Sequence, residues 1–311
     1  MGKKNAVRLT GTPIPEGVRF ELGETVSLAV RNVERDIAVH VYPETHFFRD
    51  FFSGIPFVRG IVRLFGSISR FLSGLHEAAL LNPQTTVRGS ARARKFAKLF
   101  QTTPQGLAEI LNVILIPLIL LAGLWGLPRA VEGILSLIDG VPRFAVNTVC
   151  CAFRIAGMLL SVAVLSRIRL LNRFSMYRGA MAKVVNAYEI YGANLTDAEI
   201  SRCSVLTERS DGAFLLIVLS VAMIGFALIR TDVFALKLAM RAGFLLLSSA
   251  LVNEILQPIE NARNNAFLAR LRRPLMRLQG LFTLDPHPQM IEVALCAFHA
   301  ATENDISDVI E

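Results

Sequence analysis

Long apolar runs constrain the fold of this chain more than any other feature of its sequence. Residues 110–128 form a run of 19 positions without a charged side chain, and residues 212–229 form a run of 18. An α-helix rises about 1.5 Å per residue, so such runs cover most of a hydrocarbon core about 30 Å thick. A water-soluble protein spreads its apolar residues at helix or strand spacing instead. We therefore predict membrane-spanning helices at both positions.

Two further runs predict a second and a fourth span. Residues 144–166 are apolar except for Arg154 near the middle, and residues 235–259 carry charged side chains only towards their ends. Long basic side chains near a membrane surface can reach the head groups, so the fourth run remains compatible with lipid. The chain has 53% hydrophobic and only 19% charged residues, which fits four spans. The predicted fold is mainly α, a polytopic helical membrane protein with about four transmembrane helices.

The net charge of +8 is concentrated beside these runs. Basic clusters lie at residues 88–98, 167–183 and 263–277. In a four-span protein all three fall on one side, and the positive-inside rule makes that side the cytoplasm. We therefore predict that both termini are cytoplasmic and that the basic side chains meet lipid head groups. The predicted partner is the lipid bilayer, and nucleic acid is not an expected partner.

The N-terminal region predicts a small β-structure. Residues 25–31 and 36–42 alternate apolar and polar side chains, and the residues between them fit a turn. This pattern predicts an N-terminal cytoplasmic β-hairpin. Because two strands alone bury too little surface to be stable, we expect the hairpin to be an appendage of the membrane part.

Amphipathic helices are predicted on either side of the spans. From Phe57 to Leu75 apolar residues recur at helical spacing, while Arg59, Arg63 and Arg70 fall on the opposite side. The apolar side could pack on a protein core, but the opposing arginines favour a helix lying in the membrane interface. Residues 291–298 show the same spacing and predict a C-terminal cytoplasmic helix.

These features divide the chain into six predicted segments. They are a β-rich segment at 1–50, an interfacial helix with a basic linker at 51–103, two spans at 104–170, a cytoplasmic loop at 171–211, two spans at 212–260 and a helical segment at 261–311.

Residues that carry common enzyme chemistry are sparse. The four cysteines form no CxxC pair, and no two histidines lie three or four residues apart. The sequence contains no Gly-rich phosphate loop and no nucleophile-elbow motif. From these residues alone we predict no metal site and no cofactor.

Several short segments, in their order along the chain, resemble one known family. They are Glu16-Gly17-Val18, Ile55-Pro56-Phe57-Val58-Arg59-Gly60, Asn186-Ala187-Tyr188-Glu189, Phe214-Leu215-Leu216-Ile217-Val218-Leu219 and Ile291-Glu292-Val293-Ala294. The chain resembles the YqhQ-like family over residues 14–300. This is a bacterial membrane-protein family, domain of unknown function 1385, described as predicted metal-dependent enzymes. The resemblance implies a location in the bacterial cell membrane.

The resemblance also implies a metal site, but this chain departs from the family at its ligands. The family motifs are H-G-A-E-H-K and H-P-R-C-G-T-S-F. Here the first reads Arg178-Gly179-Ala180-Met181-Ala182-Lys183, and the second reads Thr207-Glu208-Arg209-Ser210-Asp211-Gly212-Ala213-Phe214. Arginine, alanine, methionine and serine are poor replacements for imidazole, carboxylate and thiolate ligands. We therefore interpret the chain as a divergent member with a degenerate metal site.

Two sets of polar residues are candidates for function. The loop set is Arg178, Lys183, Asn186, Glu189, Glu208, Arg209 and Asp211. A possible surface for anions or lipid head groups consists of Arg178, Lys183, Arg202 and Arg209, although positive-inside charge alone also accounts for these four residues. The intramembrane set is Arg154, Asn253 and Glu254.

Three functional hypotheses follow from these sets. The first is a scaffold or partner-binding component that associates with other membrane proteins or with further copies of itself. The second is a membrane-associated enzyme at the cytoplasmic face, metal-dependent as the family is or using the remaining carboxylates. The third is a small transporter built on the intramembrane set.

Overall fold

The computed structural model describes residues 9–32, 36–44, 52, 54–81, 118–135, 137, 142–229, 233–261 and 266–307. The strands are β1 (Leu9–Ile14), β2 (Gly17–Leu22), β3 (Thr25–Arg31) and β4 (Ile37–Pro43). The helices are α1 (Val58–Leu81), α2 (Leu118–Leu135), α3 (Arg143–Leu165), α4 (Arg169–Tyr191), α5 (Asp197–Arg202), α6 (Asp211–Leu228), α7 (Phe234–Asn261), α8 (Ala266–Gln279) and α9 (Pro288–Ser307). The chain is thus mainly α, as predicted.

Four of these helices, α2, α3, α6 and α7, are long and apolar enough to cross a membrane. Their apolar stretches in α3, α6 and α7 are Ala145–Leu165, Asp211–Leu228 and Phe234–Glu260. These bounds lie within one or two residues of the predicted second, third and fourth spans. The predicted fold class, a polytopic helical membrane protein, is confirmed.

The first span differs from its prediction at the C-terminal end. We predicted residues 110–128, of which 110–117 lie outside the described residues, and the helix continues past Pro128 to Leu135. Proline inside a helix lacks a backbone N–H and crowds the preceding turn. The turn before it, Ala122–Gly126, is a π-helix, whose wider hydrogen-bonding pattern accommodates the proline. The helix therefore does not end where the sequence pattern predicted.

The predicted hairpin is confirmed as β3 and β4, but it is half of a larger sheet. The four strands form one antiparallel sheet in the order β1, β2, β3, β4. The first two strands were not predicted from the sequence. Pro13 in β1 is tolerated because β1 is an edge strand, and Arg19 and Glu21 in β2 are buried although they alternate like solvent-facing residues.

The sheet forms one layer of a domain and is not an isolated appendage. One sheet face, with Val18 and Phe20, packs against the apolar sides of α4 and α9 in a single core. Small residues such as Ala180 and Ala297 let the helices approach, and the Ser27 hydroxyl donates to the Ala297 carbonyl oxygen at 2.6 Å. The N-terminal segment, the segment between the second and third spans and the C-terminal helix therefore fold together.

The segment predicted as a loop at 171–211 is largely helical. Helix α4 carries the whole first motif, and α5 follows it. The periodicity of α4 is weak because one side packs in the core and the other lines a cavity with both apolar and polar residues, so the pattern of one apolar side and one polar side is lost.

Helix α1 joins the sheet to the spans. Near its start Gly60 lies against the backbone of Ser249 and Ala250 in α7, and further along Gly74 lies against Ile14 of β1. Its arginines point inward onto acidic side chains of the protein, whereas the sequence analysis placed them opposite a buried or lipid-facing side without predicting partners. Several of its apolar residues are exposed, among them Phe65 and Leu72, whereas Leu64 and Ala78 are buried. That α1 lies in the membrane interface stays a prediction.

Candidate functional site

A cavity of about 1050 Å³ lies where the spans, α1 and the sheet domain meet. Its walls come from β1, α1, α4, the segment that precedes α6, the first turn of α6 and the last turns of α7. Residues 178–214, which carry both motif positions, thus border a pocket rather than a flat surface.

The two motif segments meet in this cavity. The Arg178 guanidinium on α4 donates a hydrogen bond to the Ser210 hydroxyl at 2.7 Å. Ser210 is the N-cap of α6 and accepts a bond from the Ala213 amide at 3.3 Å. Asp211 follows directly, so the start of α6 brings a hydroxyl and a carboxylate to the same wall.

Lys183 and Asn186, two other sequence candidates, hold the second segment over α4. The Asn186 amide donates to the carbonyl oxygens of Ser204 and Leu206 at 2.7 and 2.9 Å. The Lys183 ammonium donates to the Ser201 carbonyl oxygen at 3.2 Å. Both side chains donate to backbone carbonyl oxygens, so their role is to fix the shape of the site.

Arg178 is the distinctive cation of the cavity. Its guanidinium lies 4.3 Å from the centre of the Phe282 ring, and a Cβ on Gly212 would come within 2.4 Å of it. Among the described residues, no carboxylate oxygen lies within 4.0 Å of this guanidinium. Burial therefore lowers the pKa of Arg178 to about 10, because Asp211 offsets only part of the lost hydration. The group stays charged at neutral pH.

The other charges near Arg178 are already paired. Asp211 accepts from Arg70 at 2.6 Å and lies 3.4 Å from Arg63. Glu260 lies 3.0 Å from Arg63 and 4.0 Å from Arg209. Three guanidiniums therefore share two carboxylates, and Arg178 adds a fourth guanidinium beside them, which leaves an excess of positive charge around Arg178.

The remaining candidate carboxylates lie elsewhere on the lining. Glu208 pairs with Arg272 of α8 at 2.5 Å. Glu189 is exposed near the end of α4. Neither residue stands against Arg178, so the positive excess is local even though the lining as a whole contains both signs.

The intramembrane candidates do not come together. Asn253 lines the cavity and contacts Arg63 at 3.4 Å. Glu254 faces the other way, where its carboxylate accepts from Arg59 at 2.7 Å and from the Phe57 amide at 2.9 Å. Arg154 is half-buried on α3, and neither it nor Glu254 is among the residues that line the cavity.

The residues at the motif positions do not fit a metal. Arg178, Met181, Thr207 and Ser210 all line the cavity, but they provide a cation, a thioether and two hydroxyls instead of imidazole, carboxylate and thiolate. A guanidinium at this point repels a divalent cation. In the described part of the chain, no three His, Cys, Asp or Glu side chains cluster as metal ligands would.

Comparison with known proteins assigns the chain to a family. A family model described as protein of unknown function (DUF1385) matches residues 55–304. The chain belongs to this family. It is similar to the uncharacterized protein YqhQ of Bacillus subtilis (strain 168), with 30% identity over 162 residues, 51% of each chain. The chain thus aligns with about half the length of this curated relative. No solved structure matches it.

For this DUF1385 member, the sequence analysis missed the contribution of α1 and α7 to the site. Arg63 and Arg70 lie seven residues apart and therefore on one side of α1, and Glu260 ends the fourth span. One sequence feature could have indicated this contribution. The arginines of α1 have no acidic residues beside them, so they need acidic partners elsewhere in the chain.

Proposed function

We propose that the chain is a multi-pass protein of the bacterial cell membrane that acts by binding. In this proposal it is a scaffold or partner-binding component whose cavity takes an anionic ligand, and the degenerate motifs hold no metal. Both termini and the cavity face the cytoplasm. The observation that carries the proposal is the guanidinium of Arg178, which lines a large cavity without a carboxylate in contact.

The orientation is supported by the packing of the sheet domain. Its N-terminal strands, α4 and α9 share one core, so both ends and the segment between the second and third spans lie on one side. The basic clusters lie in the same segments, and positive charge favours the cytoplasmic side.

This orientation makes a prediction for reporter fusions. The test uses a reporter enzyme that is active only outside the cytoplasm. Fusions at Leu137 or Val233, in the two short connections, should be active, and a fusion at Gly192 should be inactive. Cytoplasmic readings at Leu137 and Val233 would reverse the topology.

An anion is the ligand that the charges favour. A charged hydrogen bond between a guanidinium and a phosphate or sulfate is strong, because it combines opposite charge with matching geometry. Burial removes part of the water that would stabilise the charge of Arg178, and the protein replaces that stabilisation only in part. A bound anion would supply the missing favourable interaction. A cavity of about 1050 Å³ is ample for such a group.

Inorganic phosphate tests the anion site directly. Thermal unfolding of the purified protein should shift upward with phosphate, by a stabilisation of about 2.7 kcal/mol at 100 times the dissociation constant. Arg178→Gln should lose this shift. Arg202→Gln, which changes an exposed arginine outside the cavity, should keep it.

The unliganded proteins give the matching control. The half-buried charge of Arg178 is only partly compensated, and removing it offsets the loss of the hydrogen bond to Ser210, so R178Q without phosphate should stay within about 1 kcal/mol of the wild type. Equal phosphate shifts in the wild type and R178Q, or strong destabilisation of unliganded R178Q, would contradict an anion site at Arg178.

A further inference from the structure

The cavity borders an apolar surface at the gap between α1 and α4. Phe71 of α1 lines the cavity and is also 39% exposed. Its ring meets the ring of Phe174 on α4 edge to face, with the centroids 6.0 Å apart. Two aromatic rings therefore stand between the charged interior and the outer surface of α1.

Phe71 belongs to an exposed apolar stripe on α1. Phe65, Ile68 and Leu72 share that side at helical spacing and are 59%, 42% and 58% exposed. An exposed apolar stripe of this kind marks contact with a membrane or another protein. The described part of the chain leaves these side chains uncovered.

The position of α1 favours lipid as the covering. Gly60 seats α1 against Ser249 in α7, a helix apolar enough to span the membrane. On α7 the neighbouring residues Leu251 and Ile255 are exposed as well. Arg63, which precedes the stripe, pairs with Glu260 at the end of this span. The stripe therefore begins where the span ends, at the boundary between acyl chains and head groups.

The geometry points to an anionic membrane phospholipid as the ligand of the cavity. Its phosphate meets the Arg178 guanidinium and the Ser210 hydroxyl, and its acyl chains leave past Phe71 and lie along the stripe of α1. This inference rests on the proposed anion site. A choline head group would bring a cation towards the arginine cluster, so the lipid is one whose phosphate is not shielded by a positive charge.

The test measures lipid retained by the full-length protein. Wild type and variants are taken from vesicles with equal phosphatidylglycerol and phosphatidylcholine into mild detergent, and the bound lipid is extracted and quantified. The variants are Arg178→Gln and Phe71→Ala. The matched controls are Arg202→Gln and Phe153→Ala, which change an exposed arginine and an exposed phenylalanine away from the cavity lining.

Wild type and both controls should retain phosphatidylglycerol over phosphatidylcholine. R178Q should weaken that binding about 10- to 100-fold, the usual loss for one charged hydrogen bond. F71A should weaken it about 10-fold through lost contact with the acyl chains, yet keep the thermal shift with inorganic phosphate. Since Phe71 is 39% exposed, F71A should fold, and it provides a second test that does not change Arg178.

Three results would overturn the inference. Two of them exclude the lipid alone, and the third also excludes the proposed anion site. Phosphate binding through Arg178 without retained phosphatidylglycerol, or retention that R178Q and F71A leave unchanged, excludes the lipid but keeps the anion site. Loss of both phosphate binding and lipid retention in the wild type excludes the inference and the proposed function together.

Discussion

Gly60→Ala is expected to destabilise the protein by about 1–3 kcal/mol and to weaken ligand binding in the cavity. A Cβ at Gly60 would lie 2.3 Å from the Ser249 carbonyl oxygen and 2.8 Å from the Ala250 Cα. These are backbone atoms of α7 and cannot turn aside as a side chain would, so α1 must move away. Because α1 forms one wall of the cavity, the site should loosen with it.

The control for this prediction is Gly243→Ala on α7. No atom lies within 4 Å of a Cβ built there, so this change should add helix propensity and be neutral or stabilising by up to about 1 kcal/mol. Unfolding in detergent measured by circular dichroism would compare the two. Equal stability of both variants would contradict the close contact between α1 and α7.

Glu260→Gln is expected to have an effect of similar size, about 2 kcal/mol. Glu260 is only 8% exposed and pairs with Arg63, so neutralising it leaves buried positive charge with one carboxylate, Asp211. Removing one partner of a fully buried pair costs about 3–5 kcal/mol, and the remaining Asp211 reduces that cost here.

Glu292→Gln is the matched control for Glu260→Gln. Glu292 is 61% exposed and pairs with Arg31 at 2.6 Å on the surface. Such pairs contribute less than about 1 kcal/mol, so urea unfolding should hardly change. Similar losses for both variants would mean that Glu260 is solvated and that the arginine cluster is not an interior feature.

The spans could be predicted from the sequence because lipid imposes a local rule. Any helix that crosses the hydrocarbon core needs a long stretch without charge, and that stretch is contiguous in the chain. The end of the first helix was wrong because continuation through Pro128 depends on the π-turn before it. A prediction from the length and composition of an apolar run cannot include the geometry of a π-turn.

The sheet and α1 required knowledge of partners far away in the chain. Strand β2 alternates in the expected way, but both of its faces are buried, so its polar residues did not mark a solvent side. The pattern of α1 separated arginines from apolar residues correctly. Which side faces protein is decided by Asp211 and Glu260, about 150 to 200 residues later.

The candidate site was predictable as a set of positions but not as a chemical arrangement. The motif positions identified Arg178 and Ser210 as members of two separate segments. Their hydrogen bond, the excess of guanidiniums over carboxylates and the link to the stripe of α1 depend on how α4, α6 and α1 pack together. The resemblance to the family made Lys183 and Asn186 candidates as well, yet both side chains donate to backbone carbonyl oxygens.

The most direct test of the anion site is an experimental density map of the protein in nanodiscs containing phosphatidylglycerol. The account predicts tetrahedral phosphate density within about 4 Å of the Arg178 guanidinium carbon, beside the Ser210 hydroxyl, with acyl density past Phe71. A cavity without phosphate, in which the Arg178 guanidinium instead pairs with the Asp211 carboxylate, would contradict it.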